Sequence, residues 1–241
     1  MKKLCIVKAG STFADTAERF GDFDEMIACG LGIDRGQVQV INAFLGEDLP
    51  APSACHGIVI TGAHCMVTDN LPWSLAIEAW IPTVLAEQVP LLGICYGHQL
   101  LGRAMGGRVD YHPQGEEVGT VAVRLRPETA GDPLFKRLPH EFPANVSHAQ
   151  SVLALPPGAV LLAESDFEPH QAFRLGRCAW GVQFHPEFTL DIARDDILKQ
   201  ADSLAQAGRE VSALLQALRE TPQASSLLET FAQLAAKGGY L

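Results

Sequence analysis

Two short stretches of the chain hold residue types that can do chemistry together: Gly93-Ile94-Cys95-Tyr96-Gly97-His98-Gln99 and Gln183-Phe184-His185-Pro186-Glu187, whose histidine follows the cysteine by 90 positions. The first has a strand-like approach, Pro90-Leu91-Leu92-Gly93-Ile94, then a cysteine bracketed by glycines, then a run that can be helical from Gln99 onward. That is the pattern of a nucleophile elbow with cysteine in place of serine. Small neighbours let the chain turn sharply from strand to helix and hold the side chain in a strained, exposed position. The N–H groups of a helix start favour the thiolate, which is the reactive form. In the second stretch, Pro186 stops an apolar strand, Trp180-Gly181-Val182-Gln183-Phe184, directly after His185, which puts the imidazole at a strand end beside the elbow. A base there can take the thiol proton and later protonate a leaving amine. Glu187 can accept the other imidazole N–H and fix its tautomer. Taken singly, Cys95 reads equally well as a buried structural thiol, His185 as a turn-capped histidine and Glu187 as a solvated carboxylate; the combination carries the inference.

Elements must bring these residues together. Short β-prone runs at Leu4–Val7, Val38–Ile41, Ile58–Thr61 and Leu91–Ile94 alternate with helical segments at Phe13–Leu31 and Leu75–Glu87. This alternation predicts an α/β fold, an open and mostly parallel sheet flanked by helices. Gly57-Ile58-Val59-Ile60 and Leu91-Leu92-Gly93-Ile94 are continuous apolar runs and read as central strands. The reactive residues then fall at strand C-termini, where such sheets place their sites. After Arg108 come further β-rich pieces, Thr120–Leu125, Val160–Ala163, Gln171–Leu175 and Cys178–Phe184, expected to extend the sheet in mixed or antiparallel fashion. Leu190 to Ala236 is rich in Ala, Leu, Gln and Glu, with Gly208 and Pro222 as breakers, and reads as two or three helices. The expected organisation is a catalytic domain over 1–190 with a helical extension over 191–241 packed on it.

Cysteine, histidine and glutamate in these settings resemble the class I glutamine amidotransferases. Their nucleophile motif and terminal Phe-His-Pro-Glu are matched at Gly93–Gly97 and Phe184–Glu187, and the likeness runs from about residue 38 to 190. The resemblance implies a flavodoxin-like sheet, attack of Cys95 on a side-chain amide, a γ-glutamyl thioester, and release of ammonia without any cofactor. It also implies roles for other residues. Ile60-Thr61-Gly62-Ala63 sits where the family carries its oxyanion-hole glycine, so the N–H groups of Gly62 or Ala63 and of Tyr96 are expected to hold the oxyanion. Gln99 matches a glutamine that positions the substrate side chain. Asn145–Val152 resembles a Ser-His-x-Asp-x-Val segment whose backbone contacts the glutamine head group, which assigns Ser147 and His148 to substrate binding; the acidic position is Gln150 here. The Asn-x-Ser pattern in that segment is inert in a cytosolic protein.

Other candidates carry less. His98 adjoins the elbow but points elsewhere on a helix and is expected to pack or bond locally. Cys55-His56 and His64-Cys65 lack a spacing that closes a tetrahedral site, so no metal is expected. Trp73 and Trp80, seven apart, read as core packing, with a substrate-shaping alternative for the loop around Asp69.

Composition bounds the function. The net charge of −10 argues against nucleic acid as a partner. No apolar stretch is long enough to cross a bilayer, and six scattered cysteines fit a reducing cytoplasm. The chain lacks a Gly-x-x-x-x-Gly-Lys-[Ser/Thr] loop and a Ser-Gly-Gly-x-Asp-Ser loop, so it resembles the glutaminase half of GMP synthetases and not a whole one. Three readings follow: a glutaminase feeding ammonia to a separate synthetase partner, a stand-alone γ-glutamyl peptidase or hydrolase using the same residues, and a regulatory module without turnover, which the intact Cys95, His185 and Glu187 disfavour. A homodimer is the preferred assembly.

Overall fold

The computed structural model describes residues 2–237; Met1 and residues 238–241, the two ends of the segments read above, lie outside it. In chain order the strands are β1 Lys3–Val7, β2 Val38–Ile41, β3 Cys55–Ile60, β4 Leu91–Ile94, β5 Arg108–Tyr111, β6 Glu117–Leu125, β7 Glu141–His148, β8 Gln150–Ala154, β9 Val160–Glu164, β10 Ala172–Leu175 and β11 Ala179–Val182. The α-helices are α1 Ala14–Phe20, α2 Phe23–Leu31, α3 Pro72–Ala86, α4 Tyr96–Ala104, α5 Leu190–Lys199, α6 Ala201–Gln206, α7 Val211–Ala217 and α8 Pro222–Ala236.

The main sheet has the order β2-β1-β3-β4-β11-β10-β9-β6-β7. From β2 through β11 every pairing is parallel; from β11 to β7 every pairing is antiparallel. This is the α/β architecture with a mostly parallel centre that the alternation predicts, and the change to antiparallel pairing follows Arg108 as expected. β5 and β8 form a separate two-stranded ribbon. Because side chains alternate along a strand, Leu4 and Ile6 of β1 enter one apolar layer while Cys5 and Val7 enter the other. Helices α2 and α8 cover the first layer, and α3 and α4 the second.

Several elements depart from the sequence reading. The helical segment Phe13–Leu31 is two helices, because Gly21 takes φ 86° and Asp22 restarts the chain with a capping box closed by Glu25. The helix after the nucleophile begins at Tyr96, one residue after Cys95, and not at Gln99. Strands β5, β7 and β8 fall where no strand was expected. β7 contains Pro143, which an edge strand tolerates. Among the described residues the tail holds four helices, since the chain breaks at Gln200, at Gly208 with φ 77°, and again before Pro222.

Helix α8 is part of the main core. Its Leu227, Leu228 and Phe231 are buried, and Phe231 meets Trp180 edge to face at 6.3 Å. A Cβ at Gly30 would lie 2.4 Å from Leu228 Cδ1, and one at Gly57 would lie 2.7 Å from Ala235 Cβ, so these glycines let the helix settle closely. Phe231→Ala is expected to cost about 3 kcal/mol in urea denaturation. A loss below about 1 kcal/mol would show that α8 is not part of the cooperative core.

Candidate active site

The site lies at the C-terminal ends of the parallel strands. Cys95 follows β4 directly and starts α4, with φ 49° and ψ −100°, a conformation that L-residues rarely adopt. Its N–H donates to Val182 O at 2.8 Å, which ties the elbow to the end of β11. The glycines on either side are steric requirements: a Cβ on Gly93 would sit 2.4 Å from Gly97 O, and a Cβ on Gly97 would sit 2.4 Å from Ile60 O. The β4–α4 turn is thereby pressed onto β3 and leaves Cys95 aimed into a cavity.

His185 arrives three residues after β11. Its N–H donates to Asn145 O at 2.8 Å, and its ring stacks on Phe188 with centroids 4.2 Å apart. Nδ1 lies 2.8 Å from Glu187 Oε1, and the imidazole and the Cys95 side chain both border Gly62. Burial works against protonation of this ring, yet the carboxylate of Glu187 and the sulfur of Cys95 outweigh it and raise the His185 pKa well above the ordinary histidine value. Carboxylate, imidazole and thiol therefore lie together at the strand ends, with the ring held by Glu187.

The remaining sequence candidates take definite positions. Gly62 packs against the base: a Cβ there would lie 3.2 Å from His185 Cε1 and 3.9 Å from Cys95 Cβ. Among the described residues, no backbone acceptor is paired with the N–H of Gly62 or Ala63, and Tyr96, as the first residue of α4, has no intrahelical acceptor. Gln99 is buried and donates to Gln150 O at 2.7 Å and to Gln183 Oε1 at 3.1 Å. Ser147 O accepts from the Cys95 thiol at 3.7 Å. The His148 ring is tied to Glu117 Oε2 at 3.0 Å and to Gln150 O at 3.1 Å, so its imidazole is held in the protein interior. Gln150 donates from its side chain to Thr68 Oγ1 at 2.6 Å and thereby fastens the 67–69 turn over the site.

Cys95, Ala63, Tyr96, Gln99, Ser147, His148 and Gln150 line a cavity of about 230 Å³ together with Phe13, His64, Met66, Glu116 and Gln200, which carry no catalytic motif in the sequence. His64 sits against Phe13 at 4.4 Å and edge-on to Phe23 at 5.9 Å. Burial, reinforced by the charge on His185, lowers its pKa and keeps it neutral. Its adjacency to Ala63 was the one available signal. His98, read as a packing residue, is fully buried against Phe173 at 4.8 Å, and burial pushes its pKa down to about 3. Trp73 packs on Tyr96, and Trp80 donates from its indole to Pro50 O. Among the described residues no cluster of three metal-binding side chains occurs, and no helix is long and apolar enough to cross a membrane.

A fold with a cysteine elbow at the parallel-strand ends and a His-Pro-Glu turn beside it defines the class: the chain belongs to the glutamine amidotransferase class-I family, whose model matches residues 33–202. Among its relatives is a glutamine-hydrolyzing GMP synthase subunit of Methanococcus maripaludis, 31% identical over 161 residues that cover 66% of this chain and 79% of that protein. The GMP synthase (glutamine-hydrolyzing) of Thermosipho africanus is 38% identical over 122 residues, which cover 50% of this chain and only 23% of that one, so the chain spans about a quarter of such full-length relatives. A glutamine amidotransferase structure from Thermotoga maritima shares the fold at a TM-score of 0.78 and 22% identity, covering 98% of this chain and 99% of its own. One from Methylobacillus flagellatus does so at 0.75 and 25%, covering 99% and 95%.

Proposed function

We propose that this protein hydrolyses the side-chain amide of glutamine through a thioester on Cys95. The observation that carries the reading is the 2.8 Å contact between His185 Nδ1 and Glu187, on an imidazole that borders Gly62 together with the Cys95 side chain. The thiolate attacks the amide carbon, and the oxyanion is held by N–H groups of Gly62 or Ala63 and of Tyr96. The His185 imidazolium gives its proton to the departing nitrogen, the C–N bond breaks, and ammonia leaves a γ-glutamyl thioester. His185, now neutral, takes a proton from water, the resulting hydroxide displaces the sulfur, and glutamate and the thiolate are regenerated. Glu187 keeps the ring oriented throughout, while Gln99 and the main chain of Ser147 and His148 frame the substrate. The chain up to residue 190 serves as the catalytic domain, and the described part of the tail, 191–237, as an extension packed on it. The Methanococcus relative is one subunit of a synthase, which supports delivery of the ammonia to a separate synthetase chain. Six unbonded cysteines support a reducing, cytoplasmic setting.

The test is ammonia release by the purified protein from free glutamine, measured beside cleavage of a γ-glutamyl dipeptide. Slow release from glutamine is the expected result. Rapid cleavage of the dipeptide with glutamine untouched would replace this reading with a γ-glutamyl peptidase, and inertness toward both would leave a regulatory module. A further prediction concerns the orienting carboxylate. In Glu187→Gln the anion that favours the imidazolium is gone, so the His185 pKa falls and the alkaline limb of kcat/KM moves to lower pH. The rate at neutral pH should drop about tenfold to a hundredfold, less than in His185→Ala. An alkaline limb at its original pH would remove Glu187 from this role.

A further inference from the structure

One wall of the cavity comes from outside every sequence motif. Gln200 caps the C-terminal end of α5 and lines the cavity beside Cys95 and Ser147. Its Nε2 lies 3.1 Å from Ser147 Oγ and 2.8 Å from Asp196 Oδ2, one turn earlier on the helix. The Gln200 amide thus bridges the Ser147 hydroxyl and the carboxylate of Asp196, which is only 7% exposed. The main-chain oxygen of the same Ser147 accepts from the Cys95 thiol at 3.7 Å. A carboxylate buried in the tail is thus linked to the nucleophile through the Gln200 amide and one serine.

We propose that Gln200 and Asp196 are positioning residues of the hydrolytic site, fixing Ser147 and through it the Cys95 sulfur. The inference rests on the Cys95 thioester reading above. Ser147 lies near the end of β7, an edge strand, where its partner in the sheet is Val118 of β6, so a side-chain anchor on its outer side adds restraint. Strand ends with few partners open readily. A carbonyl that drifts there carries the thiol with it, and misplacement by about 1 Å can cost about a hundredfold in rate. A buried carboxylate is costly unless it is bonded, so its retention at Asp196, with a donor from Gln200, fits a built arrangement.

Burial, first, and the neighbouring charge of Asp195 raise the Asp196 pKa above the usual carboxylate value, against Ser147, the attraction of His185 and Gln200. Asp195 is itself engaged by Thr16 and Arg19 from α1. The groups that raise the His185 pKa are Glu187 and Cys95, so Asp196 acts on the site through position.

The test compares Asp196→Asn and Gln200→Leu with the wild type in the rate at which a diazoketone analogue of glutamine labels Cys95, together with ammonia release across pH. Both variants should label about tenfold more slowly, with half-saturation little changed. Neither should move the alkaline limb, because Glu187, which raises the His185 pKa, stays in place. Gln200 is partly exposed, so its variant keeps the proposal falsifiable should the aspartate variant fail to fold. Thr189→Ala removes the cap of the same helix without touching Ser147 and should label at the wild-type rate. Unchanged labelling in both variants, or an equal slowing in Thr189→Ala, would overturn the proposal. A wild type that the diazoketone never labels would instead overturn the thioester reading, and this inference with it.

Discussion

Cys95→Ala is expected to lower ammonia release from glutamine by at least about 10⁴-fold while the protein keeps its fold. The substitution removes the sulfur that would form the thioester and leaves His185, Glu187 and the backbone donors in place, so any residual rate measures what positioning alone can do. The loss in packing is small, because the thiol points into a cavity and its hydrogen bond is to Ser147 O. Full activity in this variant would refute the mechanism outright. Cys95→Gly separates chemistry from strain. Position 95 holds φ 49°, which glycine adopts freely and alanine does not. The glycine variant should therefore be equally inert yet more stable than the alanine variant by about 1 kcal/mol in urea denaturation. Equal stabilities would mean that the elbow stores no strain.

The part of this molecule that was legible in the sequence is the part whose physics is local. A glycine on each side of a cysteine, an apolar run ahead of it and a proline behind a histidine each report a backbone constraint at their own position. Cys95, His185 and Glu187 duly meet in space, and the four strands read as parallel are parallel. Illegible elements were those set by distant partners. β7 was unseen because Pro143 and polar Asn145 argue against a strand, and only pairing with β6 makes one. Gln200 and Asp196 sit on an unremarkable polar stretch of helix, and nothing in that stretch reports that Ser147 lies above it. For His148 the motif likeness assigns the main chain to the substrate, and the residue does line the cavity beside Cys95, while the hold of Glu117 on its ring is reached only through the β6–β7 pairing. Motifs thus marked the residues that lie together at the strand ends, and tertiary structure alone brought in the partners that hold them.

Gly97→Ala should be among the most damaging single methyl groups that the described residues could gain. Gly97 is the second residue of α4, where alanine is otherwise the best helix former, so propensity predicts a gain. Packing reverses the sign. The added Cβ would lie 2.4 Å from Ile60 O and 2.9 Å from Ile60 Cβ, and the first of these is main chain at the end of a central parallel strand. A flexible side chain could swing aside, but this carbonyl is fixed by the sheet, and the helix cannot retreat because Gly97 O already fills the space at Gly93. Relief requires α4 to tilt away from β3. That motion takes the Tyr96 N–H and the Cys95 sulfur out of line with Gly62 and His185. A destabilisation of at least about 4 kcal/mol is expected, together with loss of Cys95 labelling in whatever fraction folds. A Gly97→Ala protein of wild-type stability would show that the elbow is not pressed against β3, and a stable but unlabelled one would separate the geometry of the nucleophile from the stability of its turn.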